Sequence, residues 1–382
     1  MNLEEIFYQY KETAIAGRYI TLSSIADLLL NNKGIETTII GKSVQEKPIY
    51  QLKIGKGTTK ILMWSQMHGN ESTTTKALID FINFLTQSEI GMQFQEQFSF
   101  CILPMLNPDG AALYTRENAN LVDLNRDAQN LSQPESKLLR KTFNDFQPHY
   151  CYNLHDQRTI YGTEEKNKPA TVSFLAPSFD ENRTINAVRT KAIKVIVAMN
   201  DVLQVYIPNQ VGRFDDSFNI NCVGDTFQNL EVPTILIEAG HFPDDYEREI
   251  TRKYIFMAII SGIESLYNNY EQEHAIDKYL KIPENKVCYY DVIYKNICWF
   301  EDSKLVVSSL GIQYKEEVKN AVITFTAYIE KIGNLEGFFG HLEFDAKKEL
   351  YSDNLQNIPE ISQKANFFIG KSINIVNGLI KM

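Results

Sequence analysis

Three apolar runs in this chain end on a residue that an apolar core cannot hold uncompensated. ILMWSQM (61–67) runs into His68, YCYNL (150–154) into His155, and PTILI (233–237) into Glu238. Runs of this length, bounded by Gly, Asn or Pro, read as buried strands. A buried strand normally hands over to a small or turn-forming residue. Three ionisable endings point instead to a site at the carboxyl ends of the strands, where open α/β sheets build theirs. The first ending says most. His68-Gly-Asn-Glu71 is followed by 72–85, in which Ala77, Leu78, Phe81, Ile82 and Leu85 share one helical face. His68 and Glu71 therefore sit where a strand gives way to a helix. The His-x-x-Glu spacing alone carries little, because a loop histidine beside a helix-capping glutamate has the same pattern.

The rest of the chain alternates. Residues 1–33 read as one or two short amphipathic helices, with Thr21 as a cap for the second. Residues 36–54 read as an antiparallel hairpin at a sheet edge. The strand 60–67 and helix 72–87 follow, then a strand over 98–106 that runs into Asn107-Pro-Asp-Gly110, a turn signal. Gly110 to Gln133 shows little apolar periodicity and is rich in Asn, Asp and Arg. A connection that long without elements of its own is usually functional or disordered. Pro134 opens a helix to about Phe146. Strands are expected at 149–155, 171–177 and 233–238, and helices over 181–201 and on to about Tyr270. This alternation indicates an α/β fold with a mixed sheet covered on both faces. From Val287 the pattern changes to short strand-like runs. We expect a first domain over 1–275 and a small, mostly β accessory domain over 287–382, in which the lone His341 reads as structural.

A length of 382 residues suits two domains, and 44% apolar with 23% charged residues describes an ordinary globular protein. The formal charge of −10 argues against nucleic acid and anionic membrane surfaces as partners. No run approaches the length of a membrane span. Glu4 and Glu5 interrupt the N-terminal apolar residues, so no secretory signal is read and a cytoplasmic protein is expected; a processed secreted or periplasmic form stays open. Cys101, Cys151, Cys222, Cys288 and Cys298 are scattered without a Cys-x-x-Cys pair. Neither a cysteine metal site nor a disulfide framework is expected, and Cys101 and Cys151, inside apolar runs, read as buried free thiols.

Two imidazoles and a carboxylate are a catalytic zinc set, completed by water. His68, Glu71 and His155 can supply it, and nitrogen ligands suit zinc better than magnesium or calcium. A zinc ion brings the pKa of a bound water to roughly 7 and polarises a carbonyl. Glu238 stands where a carboxylate could take that water's proton and pass it to a leaving amine. A developing oxyanion and a substrate carboxylate both need fixed donors, which Arg116, Arg126 and the neighbouring Asn125 offer. His241, three residues after Glu238, is a second candidate ligand; His155 is preferred because it ends a strand, as His68 does.

His68-Gly-Asn-Glu71, Asn107-Pro-Asp-Gly110, Arg116 with Asn118, Asp123-Leu-Asn-Arg126, His155 and Glu238, in that order, resemble the zinc carboxypeptidase family (carboxypeptidase A/B-like), over roughly residues 35–270. The Asp-Leu-Asn-Arg motif is most similar to the bacterial branch that trims peptides, cell-wall peptides among them. The resemblance implies a mixed eight-stranded sheet flanked by helices. It implies one zinc ion on His68, Glu71 and His155. Glu238 would be general base and acid, Arg116 the oxyanion donor, Asn125 and Arg126 the holders of the terminal carboxylate, and Asp123 the partner of a ligand histidine. The implied reaction is hydrolysis of the C-terminal peptide bond of a substrate with a free carboxylate. A zinc amidohydrolase or esterase acting on an N-acyl amino acid, and an inactive peptide-binding relative, stand as alternatives. The sequence sets no oligomeric state.

The chain departs from the family at two points. Asp127 stands where many relatives have Asn, which adds a negative charge that either faces the carboxylate pocket or turns away. The segment GRFDDSFNINCVGDTF holds no tyrosine where the family has its mobile one; Tyr161 and Tyr206 are candidates by proximity alone. Asp225 and the pair Asp215-Asp216 fall where specificity residues could lie and hint at a basic or diaminopimelate-like side chain. The simpler reading, which their turn-like context favours, is that they are turn and cap residues.

Overall fold

The computed structural model describes residues 2–31, 34–163 and 167–381. Positions 1, 32 and 33, in the expected N-terminal helical stretch, lie outside the described residues. The chain divides into two units, one of Met1–Gln157 with Thr163–Asn285, the other of Arg158–Gly162 with Lys286–Met382. Among the described residues no helix is long and apolar enough to cross a membrane.

The first unit opens with helices α1 (Leu3–Tyr10) and α2 (Leu22–Leu30) and the hairpin β1 (Glu36–Lys42) and β2 (Pro48–Ile54). Strand β3 (Thr59–Trp64), helices α3 (Thr73–Gln87) and α4 (Glu89–Gln97), and β4 (Phe98–Leu103) follow. After the short helix α5 (Pro108–Leu113) and α6 (Pro134–Phe146) comes β5 (Tyr150–Asp156). After β6 (Tyr161–Thr163), whose first two residues belong to the second unit, come β7 (Lys168–Pro169), β8 (Val172–Leu175), α7 (Ala187–Tyr206), β9 (Val211–Arg213), α8 (Val223–Asn229) and β10 (Thr234–Ala239). Helices α9 (Glu249–Tyr267) and α10 (Ala275–Leu280) close the unit. Residues 276–285, past the domain end expected at 275, thus pack with the first unit.

Eight strands form one mixed sheet in the order β1-β2-β4-β3-β5-β10-β8-β9. The hairpin sits at its edge, and β4, β3, β5 and β10 run parallel at its centre. The near-continuous apolar runs are explained by burial on both faces. Ile61, Met63, Phe100, Ile102, Tyr152 and Leu154 pack on one face with residues of α3, α7 and α9. Leu62, Trp64, Cys101, Leu103 and Cys151 pack on the other with Leu139, Phe143, Val223 and Phe227. Each fully buried side chain of this size stabilises the fold by roughly 1.5–3 kcal/mol. The five cysteines are unbridged, and Cys101 and Cys151 are buried.

A buried charge cluster ties the N-terminal segment to α3 and α9. Asp80 pairs with Arg252 at 2.6 Å, and Glu249 meets Lys76 at 2.5 Å and Lys11 at 2.8 Å. Arg252 also donates to the carbonyls of Ile15 and Glu12, at 2.9 and 2.8 Å. Such groups are tolerated in a core because every charge finds a partner.

The second unit holds two four-stranded sheets. After β11 (Asn285–Val287), the strands β12 (Tyr289–Glu301), β13 (Lys304–Lys319), β14 (Val322–Gly333) and β15 (Phe339–Asp345) pair in the order β14-β13-β12-β15. The short strands β16 (Tyr351–Ser352), β17 (Phe367–Ile369), β18 (Ile373–Val376) and β19 (Leu379–Ile380) form the other sheet. Tyr294, Trp299, Leu310, Ile312 and Phe367 centre its core. His341 stacks on Tyr289 at 4.6 Å and its Nε2 donates to the carbonyl of Thr159 at 2.8 Å, a structural role.

Candidate metal centre

Strand β3 stops at Trp64, four residues short of His68. The intervening turn stays fastened to the segment after β4. Ser65 N donates to Leu103 O, Leu106 N to Ser65 O, and Asn107 N to Gln66 O, at 3.1–3.2 Å. Asn107-Pro-Asp-Gly110 is not a free turn as expected but the start of α5, because the Asn107 side chain accepts from Gly110 N at 2.8 Å. A cap and a turn use the same asparagine chemistry. Asn107 Nδ2 also donates to Met67 O at 3.1 Å, so the two motifs are packed together.

The turn brings His68 and Glu71 against His155 of β5. His68 Nδ1 lies 2.8 Å from Glu71 Oε1, and His155 Nδ1 lies 2.9 Å from Glu71 Oε2. The two Nδ1 atoms are 3.2 Å apart. All three side chains are buried, and their ligand atoms lie within 4.8 Å of one another. Nε2 of His68 contacts Asp123 Oδ1 at 3.0 Å, the carboxylate–histidine contact that fixes a tautomer and turns Nδ1 toward the cluster. The Glu71 carboxylate is steadied by Asp156 N at 3.1 Å. Asp156 in turn accepts from Thr73 N and Thr74 N at the start of α3, at 2.9 and 3.2 Å. Helix α3 and strand β5 are thereby locked together beside the candidate ligands Glu71 and His155.

The electrostatics favour a cation. Burial opposes ionisation of Glu71, yet His68 and His155 hold its carboxyl well below the usual range. Burial likewise works against a charged His68, but Glu71 and Asp123 outweigh it and push the ring's pKa up. Burial wins at His155, which is held down and neutral, with a lone pair to offer. Glu238 pairs in register with His155 across β10 and β5. Its carboxyl is pushed well up, by burial first and then by the charges of Glu71 and Asp156. Two imidazole nitrogens and a carboxylate in a buried, anionic cluster suit a zinc ion in donor chemistry and burial. His241 is not among these residues. It lies buried beyond β10, its ring 4.8 Å from Tyr246.

The polar loop of 114–133 reaches the cluster through Arg116. Its Nη1 lies 3.2 Å from His68 Nδ1 and 3.4 Å from Glu71 Oε1, and its Nε donates to Asp123 Oδ2 at 3.1 Å. Asp123 accepts from Asn125 N at 2.8 Å and starts a short 3-10 turn over Leu124–Arg126. Asn125 Oδ1 accepts from Val223 N at 3.0 Å, which ties the loop to α8. Arg126 is exposed, with Nη1 on the carbonyl of Asn125 at 2.9 Å. Buried Asn118 anchors the base of the loop. It donates to Gln133 and Glu135 and accepts from Asn120 N and Val122 N.

The departures noted in the sequence take structural roles. Asp127 accepts from Ser132 N, Ser132 Oγ and Gln133 N at 2.8–2.9 Å, ahead of α6. Burial raises its carboxyl less than these donors lower it. Asp225 accepts from Ser178 N and Asn219 N at 3.0 and 2.8 Å, and burial pushes its pKa up to about 6. Asp216 pairs with Arg189 at 2.5 Å and Arg183 at 3.2 Å, while exposed Asp215 accepts from Ser217. Tyr206 packs on the core at the end of α7.

Asp156 and Arg248 were not legible as site residues. Arg248 donates to the carbonyls of Ala239 and, at 2.7 Å, Gln157, joining the ends of β10 and β5. Each acts on a backbone group more than 80 positions away in sequence, Asp156 on Thr73 N and Arg248 on Gln157 O, and no spacing rule reports such contacts. The only available cue for Asp156 was its place next to His155.

Residues 23–204 match the family model described as zinc carboxypeptidase. Carboxypeptidase SOL1 of Arabidopsis thaliana is 29% identical over 154 residues, 34% of this chain and 31% of that protein. Gamma-D-glutamyl-L-diamino acid endopeptidase 1 of Lysinibacillus sphaericus is 33% identical over 88 residues, 21% of this chain and 22% of that protein. The chain thus spans under a third of the length of these curated relatives. Among solved structures, the carboxypeptidase A of Helicoverpa armigera shares the fold, with a TM-score of 0.54 at 15% identity over 71% of this chain and 80% of that chain. The fold, the His68–Glu71–His155 cluster and the match over residues 23–204, just under half of the chain, are thus similar to those of zinc carboxypeptidases.

Proposed function

We propose that this chain is a zinc-dependent metallocarboxypeptidase that hydrolyses the C-terminal peptide bond of a peptide with a free carboxylate. The convergence of His68 Nδ1, His155 Nδ1 and both Glu71 oxygens carries this reading. These residues would hold one zinc ion, which when bound supplies a Lewis acid for the scissile carbonyl and an acidified water. Asp123 accepts from Nε2 of His68 and so would orient Nδ1, which faces Glu71 Oε1, toward the ion.

Glu238 takes the proton of the attacking water and returns it to the leaving amine. The family match ends at residue 204, so this role rests on the place of Glu238 beside His155 and on its raised carboxyl. Arg116 stabilises the oxyanion. Its half-exposed guanidinium, held by Asp123 on one edge, supports that role. Asn125 and Arg126 hold the terminal carboxylate. The oxygen of Asn125 is engaged by Val223 N, so its Nδ2 is the group to offer, beside the exposed guanidinium of Arg126. The β-rich C-terminal part supplies none of these residues and is taken as an accessory domain.

The match to a relative named for cleavage beside a diamino acid supports a cell-wall-type peptide. Asp225 does not carry that preference, since it is engaged with Ser178 N and Asn219 N.

A panel of peptides tests the function, with free and amidated C-termini, with γ-D-glutamyl-diamino acid peptides and N-acyl amino acids beside them. The reading expects release of the C-terminal residue from free carboxylates, lost on chelation and restored by zinc. Equal turnover of amidated peptides, or turnover indifferent to chelators, would contradict it. Turnover confined to N-acyl amino acids would make the protein an amidohydrolase.

A further inference from the structure

Residues 11–20 precede the segment that matches the family model and lie along the turn that carries two of the proposed zinc ligands. The Arg18 carbonyl accepts from Ser72 Oγ at 2.6 Å, next to Glu71. The Tyr19 hydroxyl donates to Ala112 O of α5 at 2.7 Å. The Ile20 carbonyl accepts from Gln66 Nε2 at 2.8 Å. This strap is itself fixed. Glu12 N donates to Asp80 Oδ1 at 2.7 Å, and Arg252 holds the carbonyls of Glu12 and Ile15.

Gln66 is where the strap meets the metal turn. It stands two residues before His68 with φ at 48°, in the left-handed region that favours glycine and strains other residues. Its side chain is buried and fully used. Besides Ile20 O, Nε2 donates to Gly69 O at 2.9 Å, inside the turn between His68 and Glu71. Its Oε1 accepts from Thr75 Oγ1 at 3.1 Å, in the first turn of α3. Both partners of Nε2 are carbonyl oxygens, so the amide has one orientation that satisfies all three contacts. One side chain therefore spans the strap, the ligand turn and the helix behind it. A strained backbone of this kind persists only where its surroundings hold it.

We infer that Gln66 is a positioning residue of the metal centre. It locks the His68–Glu71 turn onto the N-terminal strap, so that zinc affinity depends on a segment outside the family match. It acts through Gly69 and the strap and touches neither ion nor substrate. The inference rests on the reading of His68, Glu71 and His155 as a zinc site.

The test compares Gln66→Gly and Gln66→Met in the full chain. Glycine removes the backbone strain together with the three contacts, while methionine keeps the volume and the strain and removes only the contacts. Zinc affinity is measured by competition with a chromophoric chelator, and thermal unfolding is followed on the metal-free proteins. Positioning predicts zinc affinity roughly 10–100-fold weaker in both variants, the range typical of lost ligand support. The metal-free glycine variant should melt no lower than the methionine variant. The inference is overturned if either folded variant binds zinc within about twofold of the parent protein. It is also overturned if affinity falls only in a variant whose metal-free melting point falls with it. A parent protein that binds no zinc would instead remove the underlying reading of the site.

Discussion

Gly69 and Gly110 meet backbone to backbone. A methyl group at Gly69 would lie 1.9 Å from the carbonyl carbon of Gly110. The two sequence motifs that contain them, 41 positions apart, are therefore two halves of one packed turn. The turn of His68 to Glu71 sits where it does because Gly69 carries no side chain at the contact. Gly69→Ala must push the turn off α5. Overpacking of this kind costs about 1–3 kcal/mol. Thermal unfolding should show that loss, and zinc affinity should fall with it; an unchanged melting point would mean that the turn has room to move.

Asp123→Ala removes the acceptor that fixes the His68 ring. Zinc affinity should weaken roughly 10–100-fold, as is usual when the partner of a ligand histidine is lost. Asp123→Asn keeps an acceptor and should recover part of the loss. Chelator competition on both variants checks this.

If Arg126 holds the terminal carboxylate as proposed, Arg126→Ala should raise KM for carboxylate-terminated peptides by about tenfold or more and change KM for their amides far less. Steady-state kinetics on matched pairs of substrates reads the difference directly. Equal effects on both would take the role away from Arg126.

The fold should weaken in acid through Glu249. Burial opposes ionisation of this carboxyl, but Lys76, Lys11 and Arg252 depress its pKa to about 2, from an ordinary 4.5. A depressed carboxyl stabilises the folded state fully above its unfolded pKa. That contribution is lost as pH falls from about 4.5 toward about 2. It amounts to at most on the order of 3 kcal/mol. Denaturant titrations across this range should show a steep acid limb. Glu249→Gln should be less stable at neutral pH and show a flatter limb.

What the sequence could reveal follows from where each signal resides. The centre of the sheet was legible because β3, β4, β5 and β10 are buried on both faces and read as apolar runs. His68 and His155, which the structure brings together with Glu71, stood out because they interrupt those runs. The helix expected from 181 begins instead at Ala187, after Arg183 takes a left-handed φ of 56° and Asn186 caps Arg189 N at 2.9 Å. Helical spacing persists across such a break, so periodicity alone set the start too early. Asp127 read as a charge of undecided direction, and only the positions of Ser132 N and Gln133 N resolve it into a cap. Gln66 left no trace, and Asp156 only its place beside His155, because their contacts join segments 46 and 83 positions apart.

The central claim is that His68, Glu71 and His155 form one zinc site served by Glu238. Zinc content per chain, measured after equilibrium dialysis on the parent protein, His155→Ala and Glu238→Gln, tests it most directly. The account predicts one ion per chain in the parent, one in Glu238→Gln with peptide hydrolysis abolished, and none in His155→Ala. A parent without zinc, a His155→Ala variant that keeps its full ion, or a Glu238→Gln variant that keeps full hydrolysis would contradict it.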